Sequence, residues 1–236
     1  MVPSPYIGIW RRDWIERRQD GGAHPARDTR PAIWFQSSRS HVDLRVDPAL
    51  VAPASPGTPP STQIAFAGLS EIRSQDRREL CRWRPAFAYP QLTDQVDAGF
   101  MTFESATHLM EEGVDGSYVE SWRRISRDDE LPRCLRFEAA DDRAASCYLM
   151  LCGRYFALGS NLGHPECPSL PVFAWGERVD GDAVWRVREC LAPWWAEREI
   201  EVGSQVADIS RALPSAEHEW TLPLLPVIGW HLTHID

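Results

Sequence analysis

Two short segments place ionisable side chains where a β-strand would bring them together with aromatic rings. In the run 118–122 alternate residues of an extended chain share one face, so Tyr118, Glu120 and Trp122 would project to the same side. Burial between two aromatic residues raises the pKa of a carboxyl group toward the range useful for a general acid or base. Glu120 is therefore a candidate catalytic residue, with Tyr118 and Trp122 as candidate ligand contacts. The alternative is a solvent-facing strand, on which Glu120 is an ordinary surface carboxylate.

The second segment is the run HVDLRV at 41–46. Asp43 and Arg45 share one face of this strand, opposite to its apolar residues. If that face is buried, Asp43 becomes a second candidate acid or base, and Arg45 becomes an anchor for an anionic group. His41, at the start of the strand, is a candidate proton carrier. The alternative is that the apolar face forms the core while Asp43 and Arg45 face water and His41 lies in a surface turn.

Aromatic residues suggest what such a site would hold. Eleven tryptophans are many for 236 residues, and most are expected in the core. Those that line a cavity favour a flat hydrophobic or aromatic ligand, and we take Trp34, Gln36 and Trp83 as further candidate binding residues. The adjacent pair Trp194 and Trp195 would place one ring on each side of a strand, where one ring meets solvent, a lid or the partner subunit of a homodimer.

Metal and cofactor sites receive little support from the sequence. The C-terminal run GWHLTHID contains His231 and His234, and an inward histidine on a last strand could ligate haem or a metal. A spacing of three places the two side chains on opposite faces of a strand, which argues against a joint site. The six cysteines form no CxxC pair, so reduced and buried thiols are expected. We expect neither a metal nor an organic cofactor.

The charge composition excludes several classes of function. The 34 acidic side chains exceed the 25 basic ones, which gives a net charge of −9. Every basic residue is an arginine, because the sequence contains no lysine. This excludes Schiff-base chemistry, pyridoxal phosphate attachment and the lysine of a phosphate-binding loop. No basic run is long enough to follow a nucleic acid backbone, so no nucleic acid partner is expected.

The apolar residues are distributed as in a globular protein. No run approaches the roughly 18 apolar residues of a membrane helix, and the first residues lack a basic leader followed by an apolar run. We therefore expect a cytoplasmic protein without a membrane partner.

The elements that would position these residues are short strands. Runs rich in β-branched and aromatic residues are bounded by Gly, Pro, Asp or Ser, which predicts an all-β protein with little helix. The Trp-Arg-Arg triplet of residues 7–16 recurs in residues 117–126, as if the chain restarted. This indicates two tandem antiparallel barrels, an N-terminal barrel at 1–115 and a C-terminal barrel at 116–236. The proline-rich stretch 47–62 is predicted to be a surface loop or a lid.

Several of these strands also resemble a known family. The chain is similar to the Hri-type proteins, which consist of two lipocalin-like (calycin-like) barrels in tandem, and it departs from them after Trp83, where RPAFAYP replaces an acidic, histidine-bearing strand. The resemblance implies a calycin-like fold with cavities suited to a small ligand, but no agreed reaction. It is carried by AIWFQSS (32–38), VDLRV (42–46), ELCRW (79–83), FMTFES (100–105), LMEEGV (109–114) and YVESWRRI (118–125).

Two functions fit these observations. The first is a cofactor-independent enzyme of the isomerase, cyclase or lyase type, acting in biosynthesis on a small hydrophobic metabolite in a barrel cavity with a buried carboxylate as acid or base. The second is a non-catalytic carrier or sensor of the lipocalin type. An enzyme requires a buried titratable group in the cavity, whereas a carrier requires only apolar walls.

Overall fold

The structure is a computed structural model and consists almost entirely of β-strands. It describes residues 1–18, 27–47, 63–91, 97–140, 144–164, 166–179, 184–201, 219–220, 222, 225 and 230–236. Single 3₁₀ turns lie at Ser4–Tyr6 and Pro193–Trp195. The strands are β1 (Gly8–Arg17), β2 (Arg27–Asp28), β3 (Ile33–Gln36), β4 (Ser40–Arg45), β5 (Ile64–Gln75), β6 (Arg78–Tyr89), β7 (Asp97–Ser105), β8 (His108–Gly113), β9 (Tyr118–Arg124), β10 (Arg133–Ala139), β11 (Ser146–Cys152), β12 (Tyr155–His164), β13 (Cys167–Val179), β14 (Val184–Cys190), β15 (Glu199–Glu201), β16 (Glu219–Trp220) and β17 (Trp230–Ile235).

The first sheet closes into an antiparallel barrel of eight strands. Its order is β1, β3, β4, β5, β6, β7, β8 and β9, and β9 pairs back onto β1. The two-residue strand β2 lies beside β1. Closure removes the open edges of the sheet and gives alternate residues of every strand an inward direction. The prediction of an all-β protein with a lipocalin-like barrel is confirmed to this extent.

The two Trp-Arg-Arg segments do not mark a repeat, and this interpretation was wrong. They belong to the first and last strands of one barrel, where they pair antiparallel with Arg11 opposite Arg123 and Arg12 opposite Trp122. The similarity has a physical reason, because both strands direct a tryptophan into the barrel and an arginine outward. Since β9 belongs to the first sheet, the change from one sheet to the next falls within 125–132, beyond the predicted boundary at 115/116.

The second sheet has the order β15, β14, β13, β12, β11, β10, β17 and β16. In the part of the chain that the structure describes, no ladder joins its two edges, β15 and β16. A second closed barrel, and the division into two domains, therefore stay predictions.

The two sheets share a hydrophobic core. The outer face of the barrel contributes residues such as Phe35 and Leu44, which belong to the same buried cluster as Phe156 and Phe173 of the second sheet. A separate cluster fills the barrel itself. All four residues of β3 are buried, because one face of this strand points into the barrel and the other packs against the second sheet.

Two further predictions concern the surroundings of this fold. Within the described residues, no helix has the length and apolar character needed to cross a membrane. The proline-rich stretch predicted to be a loop or lid lies outside the described residues except for Asp47.

Candidate functional site

Two glutamates face each other inside the barrel. Glu111 on β8 and Glu120 on β9 are directly opposite in register, and they are 1% and 0% exposed. Directly opposed residues of an antiparallel pair project to the same face, so two carboxyl groups share one interior. This arrangement resembles catalytic carboxylate pairs, in which like charges and burial together hold a proton on one member.

Glu111 is fixed by hydrogen bonds to both of its oxygens. The Tyr118 hydroxyl donates to Oε1 at 2.7 Å, and the Trp122 indole N–H donates to Oε2 at 3.1 Å. Gly99, on the neighbouring strand, makes room for this carboxyl group, since a Cβ there would lie 2.6 Å from the Glu111 Cγ. Burial and the nearby Glu120 carboxylate raise the pKa of Glu111.

Glu120 forms a buried ion pair with Arg12 of β1. The Arg12 Nη1 donates to Oε1 of Glu120 at 2.7 Å, and Arg12 Nη2 donates to the backbone carbonyl oxygen of Arg30 at 3.1 Å. The side chains of the pair are 6% and 1% exposed. Among the described residues, no hydrogen-bond partner reaches the Glu120 Oε2 or the Arg12 Nε. A buried pair with an unused acceptor and an unused donor is unusual for a purely structural contact.

Asp43 and Arg45 form a second buried pair. The Arg45 Nε donates to Asp43 Oδ1 at 3.0 Å, and the Arg45 Nη2 lies 3.6 Å from Asp97 Oδ2. Asp43 is 2% exposed and lies opposite Trp34 and Phe66, two members of the barrel cluster, so it points inward. Burial raises the pKa of Asp43 to about 6, although Arg45 acts in the opposite direction. The alternative in which this face meets water is wrong. The face of Asp43 points into the barrel, and the opposite, apolar face packs against the second sheet.

His41 and Gln36 belong to a different polar network. The Ser70 hydroxyl donates to Gln36 Oε1 at 2.6 Å and lies 3.0 Å from His41 Nδ1, and the Trp34 indole donates to the same Gln36 oxygen at 3.2 Å. Burial lowers the pKa of His41 to about 3, so its ring is neutral near pH 7. His41 and Arg45 are four residues apart on β4, which places them roughly 13 Å apart along the strand.

Tryptophan rings fill the space between the two polar groups. The ring centroid of Trp34 lies 5.6 Å from that of Trp83 and 6.1 Å from that of Trp122, both edge to face. Trp10 stacks on Trp34 at 6.3 Å. All four rings are buried, so they occupy the middle of the barrel, where a lipocalin-type ligand would otherwise lie.

The barrel opens beside Arg12 and Arg45. A cavity of about 70 Å³ lies at this end, which we call the arginine mouth, and its described lining residues are Arg12, Arg17, Arg30, Pro31, Arg45, Asp47 and Ile64. Arg12 thus contacts both the cavity and the Glu120 carboxylate. Glu120, Glu111 and Asp43 are not themselves among the described lining residues. Arg12 and Arg45 are the residues that link Glu120 and Asp43 to the cavity.

Most of the predicted site residues therefore lie inside one barrel, but at two levels. Glu120, Asp43 and Arg45 lie toward the arginine mouth, whereas His41 and Gln36 lie at the opposite end. The other predicted binding residues, Tyr118, Trp122, Trp34 and Trp83, pack between or beside these groups.

Sequence reasoning missed three members of the site, Arg12, Asp97 and Glu111. A signal for Glu111 was present, because an Asp-Gly turn at 115–116 predicts a hairpin that brings Glu111 opposite Glu120. Gly116 indeed has a φ of 71°, and its N–H donates to the carbonyl oxygen of Gly113 at 2.8 Å. In the sequence, Arg12 stands out only as part of a Trp-Arg-Arg triplet.

The C-terminal histidines lie elsewhere. His231 and His234 are half-buried on β17, opposite Glu138 and Arg136 of the second sheet. Among the described residues, no group of three His, Cys, Asp or Glu side chains is arranged to hold a metal ion. All six cysteines are buried thiols.

Comparison with known proteins shows the fold alone. The chain is similar to the crystal structure of an uncharacterized protein from Saccharomyces cerevisiae, with a TM-score of 0.55 and 13% sequence identity over 97% of this chain and 98% of the yeast chain. No protein-family model matches the chain, and no curated protein matches its sequence. Membership of the Hri-type family stays a prediction.

Proposed function

We propose that the first barrel binds a small molecule at the arginine mouth and moves a proton on it without a cofactor, as isomerases, cyclases and lyases do. The observation that carries this proposal is the buried carboxylate pair Glu111 and Glu120, in which Oε2 of Glu120 has no partner among the described residues. Proton transfer requires a base and an acid, and two buried carboxyl groups in different environments, Glu120 and Asp43, supply them.

The contacts suggest a role for each group. Glu120 acts as the general base, because Arg12 binds only its Oε1 and leaves Oε2 to accept a proton. Asp43 returns a proton as general acid, since a pKa of about 6 keeps part of its population protonated near neutral pH. Glu111 is a positioning residue, fixed by Tyr118 and Trp122 and directly opposite Glu120 in register.

The tryptophans support a small ligand rather than a large one. Trp83 and Trp122 both pack against Trp34 in the barrel interior, so the ligand lies at the mouth and contacts the apolar surface of Ile64 and Pro31. Catalytic or binding roles for His41 and Gln36 stay predictions, because no described contact links them to the mouth.

Hydrogen exchange tests the proposal without knowledge of the natural substrate. The purified full chain is incubated in D₂O with a panel of small 2-oxo acids, aldehydes and 1,3-dicarbonyl compounds, and loss of C–H signals is followed by ¹H NMR. We expect Glu120→Gln to slow any catalysed exchange by about 100-fold or more, the usual contribution of a general base. Glu120→Asp, which retains a carboxylate, should recover part of the rate.

The matched control is Glu189→Gln, because Glu189 is a half-buried glutamate on β14 of the second sheet. Its exchange rate should equal that of the unmodified protein. Equal rates for Glu120→Gln and the control would refute the role of Glu120. Binding of panel compounds without exchange of any would support the carrier alternative and refute the enzyme.

A further inference from the structure

The arginine mouth indicates which chemical group the ligand carries, whereas the buried carboxylates do not. Four of its described lining residues are arginines, and they come from three separate places in the chain: β1, the segment before β3, and the end of β4. The pairing of β1 with β3 and of β3 with β4 therefore brings together guanidinium groups that the sequence keeps apart. Arginine presents five N–H donors in a planar fork that matches carboxylate and phosphate oxygens.

The carboxylates around the mouth do not use all of these donors. Asp28 serves two arginines at once, since its Oδ2 lies 3.6 Å from Arg17 Nη1 and its carboxylate accepts from Arg30 Nε at 2.7 Å. Arg12 is 7% exposed, yet its Nε has no partner among the described residues. A buried, charged donor without an acceptor is costly unless a ligand supplies the acceptor.

We propose that the ligand of the arginine mouth carries an anionic oxygen group, a carboxylate or a phosphate, which Arg12, Arg17, Arg30 and Arg45 bind. This inference rests on the proposed function and names the chemistry of its substrate. A neutral hydrophobic ligand would cover the guanidinium groups and leave their donors without acceptors.

The size of the cavity fits such a group. A volume of about 70 Å³ exceeds the roughly 10–15 Å³ that a single bound water molecule needs. This is room for an oxygen group such as a carboxylate or a phosphate. The rest of the ligand would lie over Ile64 and Pro31 at the rim.

The charges deeper in the barrel are compatible with an anion. Burial raises the pKa values of Asp43 and Glu111, which favours their neutral forms and reduces the repulsion that an anion would meet. Asp47 is the one carboxylate among the described residues that line the mouth. Arg12 binds Glu120 through Nη1 and has its Nε unused. An anionic group on Arg12 would therefore place the ligand one guanidinium away from the proposed base.

Titration with simple anions tests this inference. Acetate, succinate and inorganic phosphate are titrated separately into the full chain, and binding is measured by calorimetry and by NMR. We expect at least one of them to bind, and a preference between acetate and phosphate will distinguish a planar from a tetrahedral group. Arg30→Gln should weaken binding by about tenfold and Arg17→Gln by about threefold, because charge-assisted hydrogen bonds are lost.

These two variants are chosen because their side chains are 47% and 57% exposed, so the fold tolerates their removal. The matched control is Arg154→Gln, whose side chain is 64% exposed and pairs with Glu177 of the second sheet. The control should bind like the unmodified protein. Absence of binding by all three anions, or equal weakening by Arg30→Gln and the control, would overturn the inference.

The result is separable from the test of the proposed function. If Glu120→Gln still binds the anion but no longer catalyses hydrogen exchange, both the anionic ligand and the proton-transfer function are supported. Anion binding that depends on Arg30, together with exchange that persists in Glu120→Gln, would refute only the proton-transfer function. Exchange that depends on Glu120 without binding of any anion would refute only the anionic ligand.

Discussion

Replacing Asp43 by Asn should change how the stability of this protein depends on pH. The pKa of Asp43 rises from its ordinary value of 3.8 to about 6 in the folded chain, mainly through burial. Between these two values the folded state retains a proton that the unfolded state releases, so the free energy of unfolding falls as the pH rises. The full loss corresponds to about 3 kcal/mol, and it is complete above the folded pKa.

His41 acts in the opposite direction over the same range. Burial lowers its pKa from 6.5 to about 3, so the unfolded state binds a proton that the folded state excludes, and stability rises with pH between these values. The two slopes largely cancel between pH 4 and 6 in the unmodified protein. The raised pKa values of Asp97 and Glu111 add to the effect of Asp43. The pH dependence of the stability of the unmodified protein therefore does not by itself reveal the contribution of Asp43.

The informative quantity is the difference in the free energy of unfolding between the variant and the unmodified protein. Urea unfolding, followed by tryptophan fluorescence, gives the free energy of unfolding of both proteins at each pH from 4 to 7. Asp43→Asn should gain about 2.5 kcal/mol relative to the unmodified protein as the pH rises through this range. Asp129→Asn is the control, because the Asp129 side chain is 71% exposed. Parallel profiles for Asp43→Asn and the unmodified protein would refute the burial argument.

Two further predictions concern packing, and both are measured by urea unfolding. Gly99→Ala should lower the free energy of unfolding by about 1–3 kcal/mol, because its Cβ would lie 2.6 Å from the Glu111 Cγ. A second change, Glu111→Ala, should relieve this clash. If Gly99→Ala lowers the free energy of unfolding equally in the Glu111→Ala background, the explanation is contradicted. Phe35→Ala should cost about 3–5 kcal/mol, because Phe35 is fully buried in the core shared by the two sheets. That loss should shift one common transition of both sheets, whereas a separate early transition of the barrel would contradict a shared core.

The alternation of residues along single strands was readable from the sequence. The side-chain period of two is a local property of an extended chain, so the sharing of one face by Glu120 and Trp122, and by Asp43 and Arg45, followed from residue order alone. The all-β class and the barrel followed from the same patterns and from the turn signals between them. A hairpin is also local, and the Asp-Gly turn at 115–116 contained the information that pairs Glu111 with Glu120.

Other features depended on contacts between distant parts of the chain. Arg12 meets Glu120 only because the first and last strands of the barrel pair with each other, and this closure left the two Trp-Arg-Arg segments as neighbours rather than repeats. The sequence also does not determine whether the Asp43 side chain points into a core or toward solvent, because one apolar face on a strand normally implies that the other face meets water. Here both faces are buried, since the outer face packs against a second sheet. Strand order and the surface that covers each face arise from long-range pairing, and only the tertiary structure decides them.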